Sequence, residues 1–520
     1  GEYYDWIELY NNSSDDINLG EYALSTNDDM LVEYELPQMT LPAGQYIVIM
    51  CSGNTNLSNQ SYFHANFKIG ERESIYLSHN GAIVDCLLVN DLQVDHSYGR
   101  YGDSGLYYMS EPTPGAANKA GSRIISNRPS FATAGGVYPG ASSLSVIING
   151  EGTIYYTTDG SEPTAKSKVY SGAINVTSSS VIKAKALVNG GLLSETVVAT
   201  YILENTELPV MSISISADEL SKMHTQMWAP RKHQAYIQFY DDGLQFSLPC
   251  AISLFGGNAK YYDKKCYKIN FQKEYGASEL IYRLFENRDT SVYQSFVLRN
   301  GSDDWDKSII RDVLATSLMD EYTDVDVQAY RPCVVYINGK YWGIYNIREK
   351  VSEYFVASHY NVSSSGANVA RIDGDITAGT NTDWKQIVSY VKNHSMADAD
   401  AYEWVCEHVD MTNLCDYWIG QMYVVGRDVL NIRFFNHPDI DGGRWKYIFY
   451  DLDFGLRKTY SVNYYTRYLA NPNGMTGFID NTYDNSIPRK LFDNAEFVQL
   501  WLERLNYNLN NTWSKENLTS

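Results

Sequence analysis

The period of the hydrophobic pattern changes near Leu208, and this change limits the folds open to the chain more than any other feature. Before it, apolar and polar residues alternate with period two in short runs cut by turn clusters; after it, strand-like runs come first and long stretches of helical period follow. Alternation puts successive side chains on opposite faces of a strand, whereas three- and four-residue spacing lines one stripe of a helix. A β-rich front and a mixed back are therefore expected. The 520 residues are roughly three times a usual domain of about 150 residues, so three domains are expected within these two textures.

Residues 1–118 form the first. Asp5-Trp6-Ile7-Glu8-Leu9-Tyr10, Tyr46-Ile47-Val48-Ile49-Met50, Ser74-Ile75-Tyr76-Leu77 and Ala82-Ile83-Val84-Asp85 read as sandwich strands. Asn11 to Asp16, Pro42-Ala43-Gly44 and Asn80-Gly81 supply the turn residues between them. The Asp5–Asn11 run, with Leu41-Pro42-Ala43-Gly44-Gln45-Tyr46, Asp95-His96-Ser97-Tyr98-Gly99-Arg100 and Thr113 to Asn118, resembles the lamin-tail domain. That resemblance implies an immunoglobulin-like sandwich accompanying other modules in exported bacterial proteins. Residues 129–203 repeat the texture around Tyr156-Thr157-Thr158-Asp159-Gly160-Ser161-Glu162-Pro163-Thr164, which with Val181 to Ala186 and Tyr201 resembles the chitobiase/beta-hexosaminidase C-terminal domain, an accessory module. Carbohydrate stacking on Tyr155 and Tyr156 is disfavoured, because alternation sends one inward and leaves the other as ordinary surface.

Residues 209–520 form the third. Gln234 to Phe239, Ala251 to Phe255 and Cys266 to Phe271 read as strands, and Val334 to Ile347 as a hairpin closed by Asn338-Gly339. Ile309, Ile310, Val313, Leu314 and Leu318 mark a helix, as do Trp384, Ile387, Val388 and Val391, and Thr412 is placed to cap another through Trp418 and Met422. A two-lobed α+β unit follows from this order.

Three pieces carry candidate chemistry. The strand read from Arg444 to Phe454 ends in Asp451-Leu452-Asp453, and alternation puts both carboxylates on one face. Such a pair repels unless a cation, Lys or Arg lies between, which suits an oxygen-liganded magnesium or manganese; a solvated strand end is the plain alternative. Asp428 and Asn431 lie on the connection after the Trp418/Met422 helix, where an Asp able to accept a hydroxyl proton and an Asn oxygen for metal would serve phosphoryl transfer; an Asx turn is the alternative there. The turn Phe255-Gly256-Gly257-Asn258 leads into Lys264-Lys265-Cys266-Tyr267-Lys268, where alternation groups Lys264 with Lys268 as phosphate ligands, with Glu349 holding one of these lysines or else pairing with an Arg.

These pieces, with Val297 to Asp304, Ile310-Arg311-Asp312, Tyr336 to Tyr345 and Arg444-Trp445, resemble the CotH family of spore-coat proteins and atypical secreted kinases. The resemblance implies a protein-kinase-like fold, ATP with Mg or Mn, and phosphorylation of Ser or Thr on a surface or coat protein. It makes Asp428 the catalytic acidic residue of the helix-to-strand connection and Asp451 the metal ligand, with Asn431 and Asp453 as further candidates. Two stretches depart from the family pattern: Leu254-Phe255-Gly256 stands before Gly257-Asn258-Ala259 where an Arg is usual, and Gly426-Arg427 replaces an Asn and spacer. A non-catalytic binding or scaffold protein, and a nucleotidyl transferase using the same phosphates and metal, are the competing readings.

A formal charge of -21 opposes non-specific attachment to nucleic acid or anionic lipid. No apolar run reaches the ~18 residues of a membrane helix. Seven widely spaced cysteines without C-x-x-C argue against a zinc site or dense disulfide framework, leaving Cys51 with Cys86 as the one bridge to consider. The opening Gly1-Glu2-Tyr3 and the closing Asn517 to Ser520 read as the ends of a piece cut from a longer protein, expected to be extracellular or on a bacterial surface, the spore coat included.

Overall fold

The computed structural model describes residues 4–70, 72–89, 92–102, 105–426, 428–456, 463, 466–476 and 482–519. Arg427, Gly1 to Tyr3 and Ser520 lie outside the described residues. Two compact units emerge: Gly1–Gly135 with Ala141–Leu203, and Gly136–Gly140 with Glu204–Ser520.

The first unit is mostly β. Trp6–Tyr10 pairs antiparallel with Tyr46–Met50, and Tyr22–Ser25, Ser74–His79 and Ala82–Leu88 run side by side. Leu24, Ile49 and Ile75 are buried between them, the inward half of the alternation seen in the sequence. Asn80 and Gly81 both take positive φ, as a two-residue hairpin turn requires. Further along, Thr153–Thr157, Ser180–Leu187 and Val197–Ile202 pair antiparallel over Val181, Ile182 and Ala184. Tyr155 and Tyr156 are both half-buried, so neither is the core residue expected of one of them; Ile154 fills that place. Cys51 is buried, Cys86 is exposed, and both are free thiols, so the bridge considered between them is not formed.

In the second unit seven strands close a barrel in the order Val210–Ser214, His233–Tyr240, Leu244–Phe255, Cys266–Asn270, Ser295–Arg299, Lys340–Glu349, Tyr330–Ile337. Parallel pairing of the first with the last shuts the ring. Its interior is apolar, with Ile213, Phe239, Tyr267, Leu298 and Ile347 inaccessible to water. The hairpin turns on Asn338 and Gly339, both at positive φ. A second layer is built mostly from residues following the barrel, joined by Asp326–Val327 from between two barrel strands: a five-stranded sheet ordered Asp326–Val327, Lys446–Phe449, Arg433–Asn436, Asn368–Arg371, Ile376–Ala378, with helices that include Thr382–Asn393, Met411–Val424 and Ala495–Asn510. Trp384 stacks on Phe434 at 3.9 Å, and Trp418, Trp445 and Tyr447 are buried with them. At about 1.5–3 kcal/mol for each large apolar side chain removed from water, these two cores hold the unit together without help from disulfides. The helix expected from Thr412 is capped by Asp410 instead, whose carboxylate accepts from Asn413 N, and Thr412 lies inside the first turn. Among the described residues no helix is long and apolar enough to cross a membrane.

Because each unit has its own apolar core, a 204–520 fragment is expected to melt cooperatively at nearly the temperature of the same transition in the whole chain. Calorimetry of the fragment checks this, and aggregation or loss of the transition would show that the front segments are part of its fold.

Candidate functional site

The site is assembled on the outer face of the barrel. Across three neighbouring strands Lys268 pairs with Val297 and Val297 with Arg348, so these side chains share one face; Ile269, Phe296 and Glu349 form the next row and share the other. Alternation along Ser295–Arg299 puts Arg299 on the face of Val297. Arg299 and Arg348 are thus two buried guanidiniums side by side, 6% and 1% exposed.

Asp312, in the first turn of the Arg311–Tyr322 helix, answers them. Its Oδ2 accepts from Arg348 at 2.6 Å and lies 3.7 Å from Arg299, while its Oδ1 accepts from Leu452 N at 2.8 Å. Burial works to raise the Asp312 carboxyl, but Arg348 and Arg299 hold it below the ordinary carboxylate range. One side chain thereby fixes the two arginines and the peptide between Asp451 and Asp453.

The strand read through Phe454 in fact ends at Phe449. Asp451 sits at φ 64, in the left-handed region, so strand alternation cannot be what brings it together with Asp453. Arg299 does so: its guanidinium pairs with Asp451 and lies 3.3 Å from Asp453. Asp453 also accepts from Asp303 N at 2.9 Å. The loop is closed by Gly455 N donating to Leu452 O and by Leu456 N donating to Val424 O, each at 2.7 Å.

Asp428 and Asn431 arrive from the other side. The Met411–Val424 helix stops at Val425, φ 59, and a single tight turn over Val429–Asn431 follows. Asn431 Nδ2 donates to Asp428 Oδ2 at 3.0 Å and to Asp451 Oδ2. Burial first, then the Asp451 charge, pushes Asp428 up to about 6. The same two causes in the same order push Asp453 up to about 7. Asp428, Asn431, Tyr450 and Asp451 line a narrow cavity of about 10 Å³ with Gln421 and Gly426, close to the least space one water needs. A roomier hollow of about 550 Å³ in the other unit is lined by Ile148, Asn149, Gly150, Thr153, Ile154 and Tyr170 among others, with no carboxylate in its lining.

Of the residues expected from sequence, Asp428, Asn431, Asp451 and Asp453 are thus brought together, and Lys268 faces the same side as Arg348. Lys264 is not grouped with Lys268. The strand begins only at Cys266, and Lys264 instead donates to Ile344 O at 2.6 Å and lies 4.7 Å from the centre of the buried Tyr345 ring. Lys265 staples the glycine turn by donating to Lys260 O and Tyr262 O, at 2.7 and 2.6 Å. Glu349 holds neither lysine, because alternation turns it to the opposite face. It accepts from Ala329 N at 2.7 Å, from His359 Nε2 at 3.1 Å and from Arg288 Nε at 3.4 Å, the arginine alternative. Burial opposes a charge on His359, yet Glu349 and Asp326 carry it up to about 9, so the imidazolium is part of this network at neutral pH. Arg299 and Asp312 stand in Val297 to Asp304 and Ile310-Arg311-Asp312, and Arg348 stands beside Glu349, yet the sequence alone assigns none of the three a role. The signal available was an Arg and an Asp at positions where the strand and helix patterns call for partly buried residues.

The donor set fits a hard cation. Among the described residues no three acidic, His or Cys side chains converge to cage a metal by themselves. Magnesium does not ask for that: it takes one or two carboxylates, keeps waters and completes its shell with substrate phosphate. Asp451 and Asp453 supply such a partial, all-oxygen set, and Asn431, whose amide nitrogen donates to Asp428 and Asp451 here, would add its oxygen with the amide turned over. The buried ledger also leaves room for positive charge, since Arg299 and Arg348 face Asp312, Asp451 and Asp453 with Asp428 beside them.

Comparison with known families bears on this arrangement. A model described as CotH kinase protein matches residues 252–520, more than half of the chain. Models of the chitobiase/beta-hexosaminidase C-terminal domain and of the Lamin Tail Domain match residues 133–199 and 1–90. No curated protein matches the chain.

Proposed function

The chain belongs to the CotH kinase protein family, and from that premise and the cleft geometry we propose that it is an exported atypical protein kinase with two lobes, transferring the γ-phosphate of ATP to Ser or Thr of a surface or coat protein. The observation that carries the reading is that Arg299 gathers Asp451 and Asp453 while Asn431 bridges Asp428 and Asp451.

In this mechanism Asp451, with Asn431 and Asp453, holds Mg or Mn. The bound cation supplies charge neutralisation and alignment for the phosphates. Asp428 orients the acceptor hydroxyl and takes its proton as the new O–P bond forms and the bond from the γ-phosphorus to the β,γ-bridging oxygen breaks, releasing ADP. Its elevated pKa, about 6, still leaves it mostly ionised at neutral pH and makes it a better base than an exposed Asp. Asn431 keeps Asp428 and Asp451 in register, and Arg299 stops the carboxylates from repelling one another apart. Lys268, on the same barrel face, contributes positive charge toward the phosphates. The front segments, matching accessory families, serve to place this unit on its target.

The test is Asp451→Ala. Its carboxylate is held by a guanidinium and an amide at the cleft and packs no core, so the variant is expected to stay folded and to lose manganese-dependent ATP binding by at least about 100-fold. Calorimetric titration decides; equal affinity in variant and parent would remove the metal site and this reading with it.

A further inference from the structure

We propose that Tyr262 and Asp303 are positioning residues for Asp453, joined in a relay that couples the Gly256-Gly257 turn to the Asp451 loop, so that order in the turn and a cation at the loop favour one another. The inference rests on the reading of Asp451 and Asp453 as cation ligands and gives that site a means of regulation.

The relay has two steps. Tyr262 Oη donates to Asp303 Oδ1, and Asp303 N donates to Asp453 Oδ2 at 2.9 Å. Asp453 is 3% exposed, and the oxygen that takes this amide is the one Arg299 approaches at 3.3 Å. A backbone N–H bound to a carboxylate makes a stronger contact than one bound to a neutral acceptor, so where the Asp303 amide sits decides where the Asp453 carboxylate sits. The charge of Asp303 also acts on Asp428, which puts the side chain at the same cleft.

Both ends of the relay are anchored. Asp303 follows Gly301 at φ 96 and Ser302 at φ 49, the second a left-handed value that a non-glycine residue keeps only where its surroundings impose it. Asn300 imposes it: its Oδ1 accepts from Ser302 N at 2.6 Å and from Cys266 Sγ at 2.8 Å, while its Nδ2 donates to Lys264 O. Just beyond, Asp304 accepts from Ser308 Oγ at 2.6 Å and pairs with Arg311 at 2.7 Å, at the start of the helix that carries Asp312. Tyr262 lies on the segment between the barrel strands Leu244–Phe255 and Cys266–Asn270. The buried Lys265 grips its carbonyl at 2.6 Å and that of Lys260 at 2.7 Å, and its ring lies 6.2 Å from that of Trp305. The backbone at Tyr262 is thus fixed by Lys265 and its hydroxyl by Asp303, so a displacement of the turn reaches Asp453 through two hydrogen bonds, and by linkage the effect runs equally in reverse.

Tyr262→Phe removes the hydroxyl and leaves every charge at the cleft in place. In the full chain without ligand, amide hydrogen exchange across residues 451–456 is expected to run about 3- to 10-fold faster in this variant than in the parent, while the barrel strands Val210–Ser214 and His233–Tyr240 keep parental rates. A general loss of stability would not give that pattern. Manganese-ATP affinity is expected to fall by about the same factor. Asp303→Ala is expected to reproduce both effects, and Asp303→Asn, which lacks the charge but keeps an oxygen for Tyr262, to return affinity to within about twofold of the parent. In the reverse direction, manganese-ATP is expected to slow exchange across residues 257–262 in the parent and not in Tyr262→Phe. Parental exchange across residues 451–456 in Tyr262→Phe, or an Asn variant no better than the Ala one, would overturn the relay. A parent that binds no manganese-ATP would count against the kinase reading, and the ligand-free exchange would still decide the relay.

Discussion

Asp428→Asn is expected to reduce phosphate transfer by about 10²- to 10⁴-fold while manganese-ATP affinity stays within about twofold of the parent. The amide keeps the size of the side chain and its contact with Asn431, but it cannot take a proton from the acceptor hydroxyl. Autophosphorylation from γ-labelled ATP reads the first quantity and calorimetry the second. Two further signatures separate a base from a structural polar group. With the Asp428 carboxyl pushed up to about 6 by burial and by Asp451, the parent rate should rise with pH through that value and level off above it, and the variant's residual rate should lack this limb. Stability should move the other way. The folded-state pKa lies above the unfolded one, so the folded chain holds the proton more tightly between about pH 4 and 6, and ionising Asp428 costs stability at neutral pH. The Asn variant should therefore melt a few degrees higher than the parent at pH 7 and no higher at pH 4. Undiminished transfer in the variant would take Asp428 out of the mechanism.

Much of this was legible because it rests on local pattern. Strand and helix periods and the Asn338-Gly339 turn come from short stretches whose side-chain chemistry restricts the backbone. What the sequence hid is set by where elements end and by partners far along the chain. Asp451-Leu452-Asp453 looks like a strand end, and alternation seemed reason enough for the two carboxylates to meet. The strand stops at Phe449 and Asp451 turns left-handed, so the meeting depends on Arg299, some 150 residues earlier. Lys264 fails for the same kind of reason: with the strand starting at Cys266, alternation says nothing about it. For Glu349 the sequence leaves a lysine or an Arg as partner, and the register between Ser295–Arg299 and Lys340–Glu349 decides it by handing Arg348 to the cleft and turning Glu349 away. Register is a property of the assembled barrel, and no local signal encodes it.

Asp312→Ala is expected to be the most destabilising single change near the cleft, at about 3–5 kcal/mol in the transition of the second unit. Asp312 is buried, and its removal leaves Arg348, 1% exposed, with no carboxylate within ion-pair distance among the described residues. Arg299 keeps Asp451 and Asp453, so the loss concentrates on Arg348 and on the Leu452 amide, whose 2.8 Å hydrogen bond disappears. That amide helps hold Asp451 at φ 64, a conformation a non-glycine residue keeps only under such constraint. The substitution should therefore lower manganese-ATP affinity in the protein that remains folded, although Asp312 itself is no ligand. Arg348→Met placed on top of Asp312→Ala separates the two effects. Removing the orphaned guanidinium should restore at least about half of the lost stability, because a buried pair replaced by apolar groups is far cheaper than a lone buried charge. Metal-nucleotide affinity should stay low, since the Leu452 amide is still unheld. Urea denaturation followed by tryptophan fluorescence measures the first quantity and calorimetric titration the second. A double variant no more stable than the single one would show that Asp312 acts through the loop alone, and that its contact with Arg348 is not a source of stability.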